Sequence, residues 1–67
     1  MIGVTLNGEG RQVAEGLTVE GLVRALGLDP RRVAVERNLE IVPRGEYPRV
    51  AVGEGDRFEI VQIVGGG

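Results

Sequence analysis

The sequence predicts an α+β fold: one mixed sheet of four to five strands with a single helix packed on one face. Three observations carry that expectation. The chain opens on an alternating apolar stretch closed by Asn7-Gly8, continues with one helical apolar stripe, and finishes on its most apolar run, Phe58 to Val64. At 67 residues there is room for one domain, expected over residues 1–64, with residues 65–67 as a flexible glycine tail.

Ile2, Val4 and Leu6 alternate with Gly3 and Thr5, the period of a half-buried strand. Asn7-Gly8 then signals a tight hairpin, because both residues tolerate the positive φ that a type I′ turn demands. A second strand is expected over Arg11–Ala14, with Val13 facing the core. Thr18 is placed to cap a helix that begins at Val19. Val19, Leu22, Val23 and Leu26 fall at i, i+3, i+4 and i+7, which makes one continuous apolar stripe. Gly27 is positioned as a left-handed cap and Leu28 as its apolar closure. So short a helix is unstable alone and must lie on the sheet.

Asp29-Pro30 opens a tight turn that leaves Arg31 and Arg32 exposed. Val33–Arg37 reads as a third strand, Asn38 as a turn residue, and Ile41-Val42 as a short strand ended by Pro43, which cannot donate to a ladder. Arg44 to Arg49 is expected to be irregular, with Tyr47 and Pro48 packing as a surface latch, and Val50–Val52 to add a little extended structure. Gly53-Glu54-Gly55-Asp56 is a turn, and Arg57–Val64 is the last strand, expected at the centre of the sheet. In that strand Phe58, Ile60, Gln62 and Val64 share one face and Glu59, Val61 and Ile63 the other. Two arrangements remain open: both faces covered, as in a buried central strand, or an apolar strip left exposed beside the tail for docking.

Composition removes several functions. The chain has no Cys and no His, so it has no disulfide framework, no thiolate site and only carboxylates to offer a metal. It also has no Ser and no Lys; its hydroxyls are Thr5, Thr18 and Tyr47. Nucleophilic and general-base catalysis draw mainly on the missing types, which argues against an autonomous enzyme. The ten acids and eight arginines are interspersed, the net charge is −2, and there are two aromatics, which is a poor match to a nucleic-acid surface. No apolar run approaches the ~20 residues of a membrane span, and Met1-Ile2-Gly3-Val4 shows no secretion signal, so a cytoplasmic location is expected. What remains is a chain end. Gly65-Gly66-Gly67 follows the last strand, and glycines without a Cβ can thread a narrow cleft and present the α-carboxylate of Gly67 unhindered. A frayed, inert end is the plainer alternative.

The order of elements, ending in Gly-Gly, resembles the ubiquitin-like β-grasp fold, and the chain more closely resembles the ThiS family, the small sulfur carriers of thiamine thiazole synthesis. The likeness covers essentially the whole length. It rests on Asn7-Gly8, on Thr18-Val19 followed by Leu22, on Val35-Glu36-Arg37-Asn38, and on Ile41-Val42-Pro43-Arg44 with the aromatic Tyr47. It finishes with Gly55-Asp56, Phe58-Glu59-Ile60-Val61 and Gly66-Gly67. The Ile-Val-Pro-Arg run is its most specific piece; Gly65 departs from the family, which usually varies there.

The resemblance implies a mechanism. A ThiF-like adenylating enzyme would activate the Gly67 carboxylate with ATP. A cysteine desulfurase or other persulfide donor would then supply sulfur to give a thiocarboxylate, and a ThiG-like thiazole synthase would take that sulfur. ATP would belong to the partner, so the carrier itself would need no cofactor. Gly65 and Gly66 would enter the partner's cleft, and Val61, Ile63 and Arg44 are the expected partner contacts. Sister carriers serving molybdopterin synthesis or tRNA thiolation, and a ubiquitin-like interaction or modifier domain, are the alternatives.

Overall fold

Residues 1–64 are described in the computed structural model. The first hairpin joins β1 (Ile2–Leu6) to β2 (Glu9–Val13) in antiparallel register. Asn7 has φ 49 and Gly8 φ 85, so both turn residues are left-handed, as the Asn-Gly pair requires. A two-residue turn closes the ladder at once, with Leu6 opposite Glu9, and β2 therefore begins at Glu9 rather than at Arg11 and stops at Val13. Val4 and Leu6 are buried, whereas β2 is an exposed edge whose Val13 alone is half-buried.

The helix α1 (Val19–Ala25) is capped at both ends by the expected residues. Thr18 Oγ1 accepts from the Gly21 N–H at 3.1 Å. Two further first-turn donors are satisfied from outside the helix: Val19 N–H by the Val50 carbonyl at 2.8 Å and Glu20 N–H by the Tyr47 carbonyl at 2.9 Å. At the other end, Gly27 N–H donates to the Arg24 carbonyl and Leu28 N–H to the Val23 carbonyl, the paired bonds of a Schellman cap, with Gly27 at φ 79. Val19, Leu22 and Val23 are completely buried, and each contributes about 2 kcal/mol by leaving water.

A 3₁₀ turn at Pro30–Arg32 leads into β3 (Val33–Arg37), which pairs with β4 (Glu40–Ile41). The short strand lies one residue earlier than expected; Val42 is buried, and its N–H still donates to the Val35 carbonyl at 2.9 Å. Tyr47 corrects the surface-latch expectation. It is only 3% exposed, and its hydroxyl donates to the Val33 carbonyl at 3.2 Å. It directly follows a 3₁₀ turn, Arg44–Glu46, and belongs to the buried core cluster. Burying the ring removes a large apolar surface from water, and the hydroxyl needs one internal partner to make that favourable. Residues 50–52 add one isolated bridge, Thr18 to Ala51, and no strand.

The last strand, β5 (Arg57–Gln62), lies at the centre of a five-stranded mixed sheet of order β2-β1-β5-β3-β4. It runs parallel to β1 and antiparallel to β3. It ends at Gln62, the partner of Val33, because β3 begins there; Ile63 N–H still reaches the Arg32 carbonyl at 2.8 Å. Phe58 and Ile60 point into the core under α1, as expected, whereas Gln62 and Val64 are exposed because the core stops at Ile60. The parallel pairing with β1 spans only Thr5–Arg57 and Leu6–Phe58. Beyond it, the Asn7 side chain continues the ladder: Oδ1 accepts from Ile60 N–H at 2.8 Å and Nδ2 donates to the Ile60 carbonyl at 3.2 Å. Asn7→Ala removes both bonds and leaves a residue without Asn's tolerance for φ 49. The expected loss is about 2 kcal/mol, read from the urea midpoint.

At the entry to β5, Asp56 is 8% exposed and gathers three donors: Gly53 N–H at 2.8 Å, Arg37 Nε at 3.0 Å and Asn38 Nδ2 at 3.2 Å. Burial disfavours its charge and is the largest single influence, but these bonds and the Arg37 charge together hold the carboxyl below its usual range. The folded value lies below the unfolded one of about 3.9. This stabilisation is therefore complete above the unfolded value and is lost as pH falls through the folded one. In Asp56→Asn an amide NH2 meets donors, with an expected cost of about 2 kcal/mol at neutral pH. A urea series across pH should also show a flatter acid limb than the parent.

Candidate functional site

Because β5 is held on both edges, the direction in which it leaves the sheet is fixed. Ile63 is tied to Arg32 by its N–H, and Val64, 90% exposed, projects clear of the domain. Gly67, whose carboxylate is the expected reacting group, and Gly65 and Gly66, expected to enter the partner's cleft, lie outside the described residues.

The face of β5 turned away from the helix is open. Val61 is 62% exposed and Ile63 50%, so the strip beside the tail is bare and the covered-on-both-faces arrangement does not hold. Among the described residues the helix covers one side of the sheet only, which leaves the alternate residues of a central strand in water. Ala34, directly opposite Val61 on β3, and Ile41, opposite Glu36 on β4, extend the same apolar surface. Ile41 is 68% exposed. Neither was expected to belong to it, because strand order and register decide which residues become neighbours across a sheet, and periodicity within one strand carries no such information.

Arg44 borders that strip, lining one shallow depression with Ala34 and Ile41. Its guanidinium Nη2 donates to the Val33 carbonyl at 3.0 Å and its Nε to the Pro30 carbonyl at 3.4 Å, next to the buried Tyr47. It fastens the segment over the core end of β3 while part of its surface remains exposed. Arg44 thus meets the strip through Ala34 and Ile41, Ala34 being the ladder partner of Val61.

The Gly53–Gly55 turn enters a strand rather than a helix, and the Asp56 carboxylate already occupies the Gly53 N–H, so this glycine pair is not arranged as a phosphate cradle. Among the described residues no group of three or more His, Cys, Asp or Glu side chains is assembled as a metal site. No helix of the described residues is long and apolar enough to cross a membrane.

This geometry, a pinned central strand running out towards a glycine end beside an open apolar face, can be set beside known proteins. The ThiS family profile matches residues 4–67. Over 64 residues the chain is 31% identical to the sulfur carrier protein ThiS of Escherichia coli, covering 96% of this chain and 97% of that one. A crystal structure of the thiamine biosynthesis protein ThiS from Geobacter metallireducens superposes with TM-score 0.84 at 35% identity, covering 98% of this chain and all of that one. A thiazole synthase of Paramagnetospirillum magneticum is 55% identical over 64 residues. There the chain spans 96% of its own length but only 20% of the relative's. The five-stranded sheet with one helix is the ubiquitin-like β-grasp fold. The chain belongs to the ThiS family.

Proposed function

We propose that this protein is a sulfur carrier whose Gly67 carboxylate is converted to a thiocarboxylate and whose sulfur goes to thiazole formation in thiamine biosynthesis. The observation that carries the reading is the fixed exit of β5 beside an open face, with the glycine end immediately beyond it. Family membership supports it, and similarity to a segment of a thiazole synthase favours thiazole formation over the other acceptors of such carriers.

A carboxylate resists nucleophilic attack because its own charge repels the nucleophile. The adenylating partner binds ATP and joins the Gly67 carboxylate oxygen to the α-phosphate, releasing pyrophosphate. AMP is then a good leaving group. A persulfide from a cysteine desulfurase or another donor attacks the acyl carbon, forms a C–S bond and expels AMP. Cleaving the resulting acyl disulfide by a thiol, which is itself oxidised to a disulfide, leaves the thiocarboxylate. Thiazole synthase takes the sulfur from it. No side chain of the carrier is required, and the absence of Lys and Cys removes groups that would attack the activated end. Gly65 and Gly66 thread the cleft, while Val61 and Ile63 dock against its rim.

Incubated with its adenylating enzyme, ATP and a sulfur source, the carrier should gain about 16 Da on intact-mass measurement as oxygen is exchanged for sulfur. An unchanged mass, with the enzyme active on another carrier, speaks for an inert tail. Removing Gly66-Gly67 should abolish sulfur transfer while leaving the thermal midpoint unchanged. Val61→Asp should keep the urea midpoint within about 0.5 kcal/mol of the parent, since the side chain is solvated, yet slow adenylation. Unfolding of that variant would contradict the open-face assignment.

A further inference from the structure

Asn7 has one property that its hold on β5 does not use: the residue after it is glycine. A side-chain amide followed by glycine is the pair most open to attack by its own backbone, because no Cβ hinders the next nitrogen. The Gly8 N–H has no hydrogen-bond partner among the described residues, and a Cβ built on Gly8 would meet nothing within 4 Å. The nucleophile is therefore bare to water. The electrophile is not. Both polar atoms of the Asn7 carboxamide are engaged by the Ile60 peptide, Nδ2 at 3.2 Å and Oδ1 at 2.8 Å. Nδ2 is the atom that has to leave, so ring closure requires this clasp to open first. Asn38 supplies an internal comparison. It too is left-handed, at φ 53 against 49 for Asn7. Its Oδ1 accepts from the Arg57 N–H at 2.9 Å and its Nδ2 donates to Asp56 at 3.2 Å. Its successor, however, is Leu39, whose side chain obstructs the same attack.

We propose that Asn7-Gly8 is a deamidation site gated by the clasp on β5. When the clasp opens, solvent base removes the Gly8 N–H proton and the nitrogen attacks Asn7 Cγ. An N–Cγ bond forms, the Cγ–Nδ2 bond breaks, and Nδ2 departs as ammonia, which leaves a cyclic imide. Water then adds to either imide carbonyl and opens the ring, giving aspartate or isoaspartate at position 7. Each product damages the same joint. Aspartate sets a carboxylate oxygen opposite the Ile60 carbonyl, two acceptors where a donor had met one. Isoaspartate routes the chain through the side-chain carbons. That adds a backbone atom to a two-residue turn whose register places Leu6 opposite Glu9. The fold thus shields the one bond whose loss would release its central strand. The inference uses the turn and β5 alone and stands apart from the carrier reading.

The test is to age the full chain at mildly alkaline pH, folded and in strong urea, and then to cut it after arginine. Residues 1–11 and 38–44 fall in separate peptides, and each is weighed for exchange of an amide NH2 for OH. In urea the first peptide should convert and the second should lag far behind. The folded protein should convert the first peptide about ten-fold more slowly than the unfolded chain. In urea below the unfolding transition, the rate should rise in step with hydrogen exchange of the Ile60 amide. Once deamidated, the protein should exchange that amide about ten-fold faster than the parent and unfold at lower urea. Asn7→Asp gives the same readouts for the aspartate product alone, and material aged from the folded parent supplies them where that variant does not fold. Asn7→Gly keeps the left-handed turn and should gain no mass at residues 1–11. Absence of conversion of that peptide in urea overturns the site. Equal rates in the folded and unfolded chain overturn the gating, and deamidated protein with the parent's Ile60 exchange and urea midpoint overturns the assigned consequence.

Discussion

The structure depends on how β5 is held. Its neighbours supply hydrogen bonds along both edges, but the parallel partner β1 turns away after Leu6, which would leave the Ile60 peptide facing a gap. Asn7 fills that gap with its carboxamide, a side-chain copy of the peptide group that the ladder lacks. The same residue needs a left-handed backbone to make the turn, and Asn is among the few non-glycine types that accept one readily. One residue therefore closes the first hairpin and secures the central strand.

At the other end of β5, the Asp56 carboxylate binds Gly53, Arg37 and Asn38 together, so the turn before the strand, the end of β3 and the β3–β4 turn share one ionic centre. A partly buried carboxylate with three donors is stable only as a complete set. Tyr47 and Arg44 perform a comparable task at the start of β3, where both donate to the Val33 carbonyl. These polar groups hold the scaffold in place. Val61, Ile63, Ile41 and Leu39 have no such duty, and their side chains are exposed. The docking on an open sheet face and the chain-end reaction proposed above are compatible with so small a core. The helix covers one face of the sheet, and among the described residues no element lies across the other.

Much of this was legible from residue order alone. The Asn-Gly turn, the Thr18 cap, the Gly27 stop and the period of the helical stripe act within a few residues of themselves, so local chemistry determined both hairpin and helix, as it did the alternation that puts Phe58 and Ile60 inward. The resemblance carried by Ile41-Val42-Pro43-Arg44 and the terminal glycines also belongs to the sequence by itself. Tertiary structure decided the rest. That Tyr47 is buried depends on the distant Val33 carbonyl meeting its hydroxyl, and that Arg44 is tied down depends on Pro30 and Val33. The choice between a covered and an open face for Val61 depended on whether anything lay across the sheet there. Glu36 became the neighbour of Glu59 only when β3 and β5 paired in one register. Pairings between strands far apart in the chain follow from the sum of all the contacts in the core, and no short window of residues contains that sum.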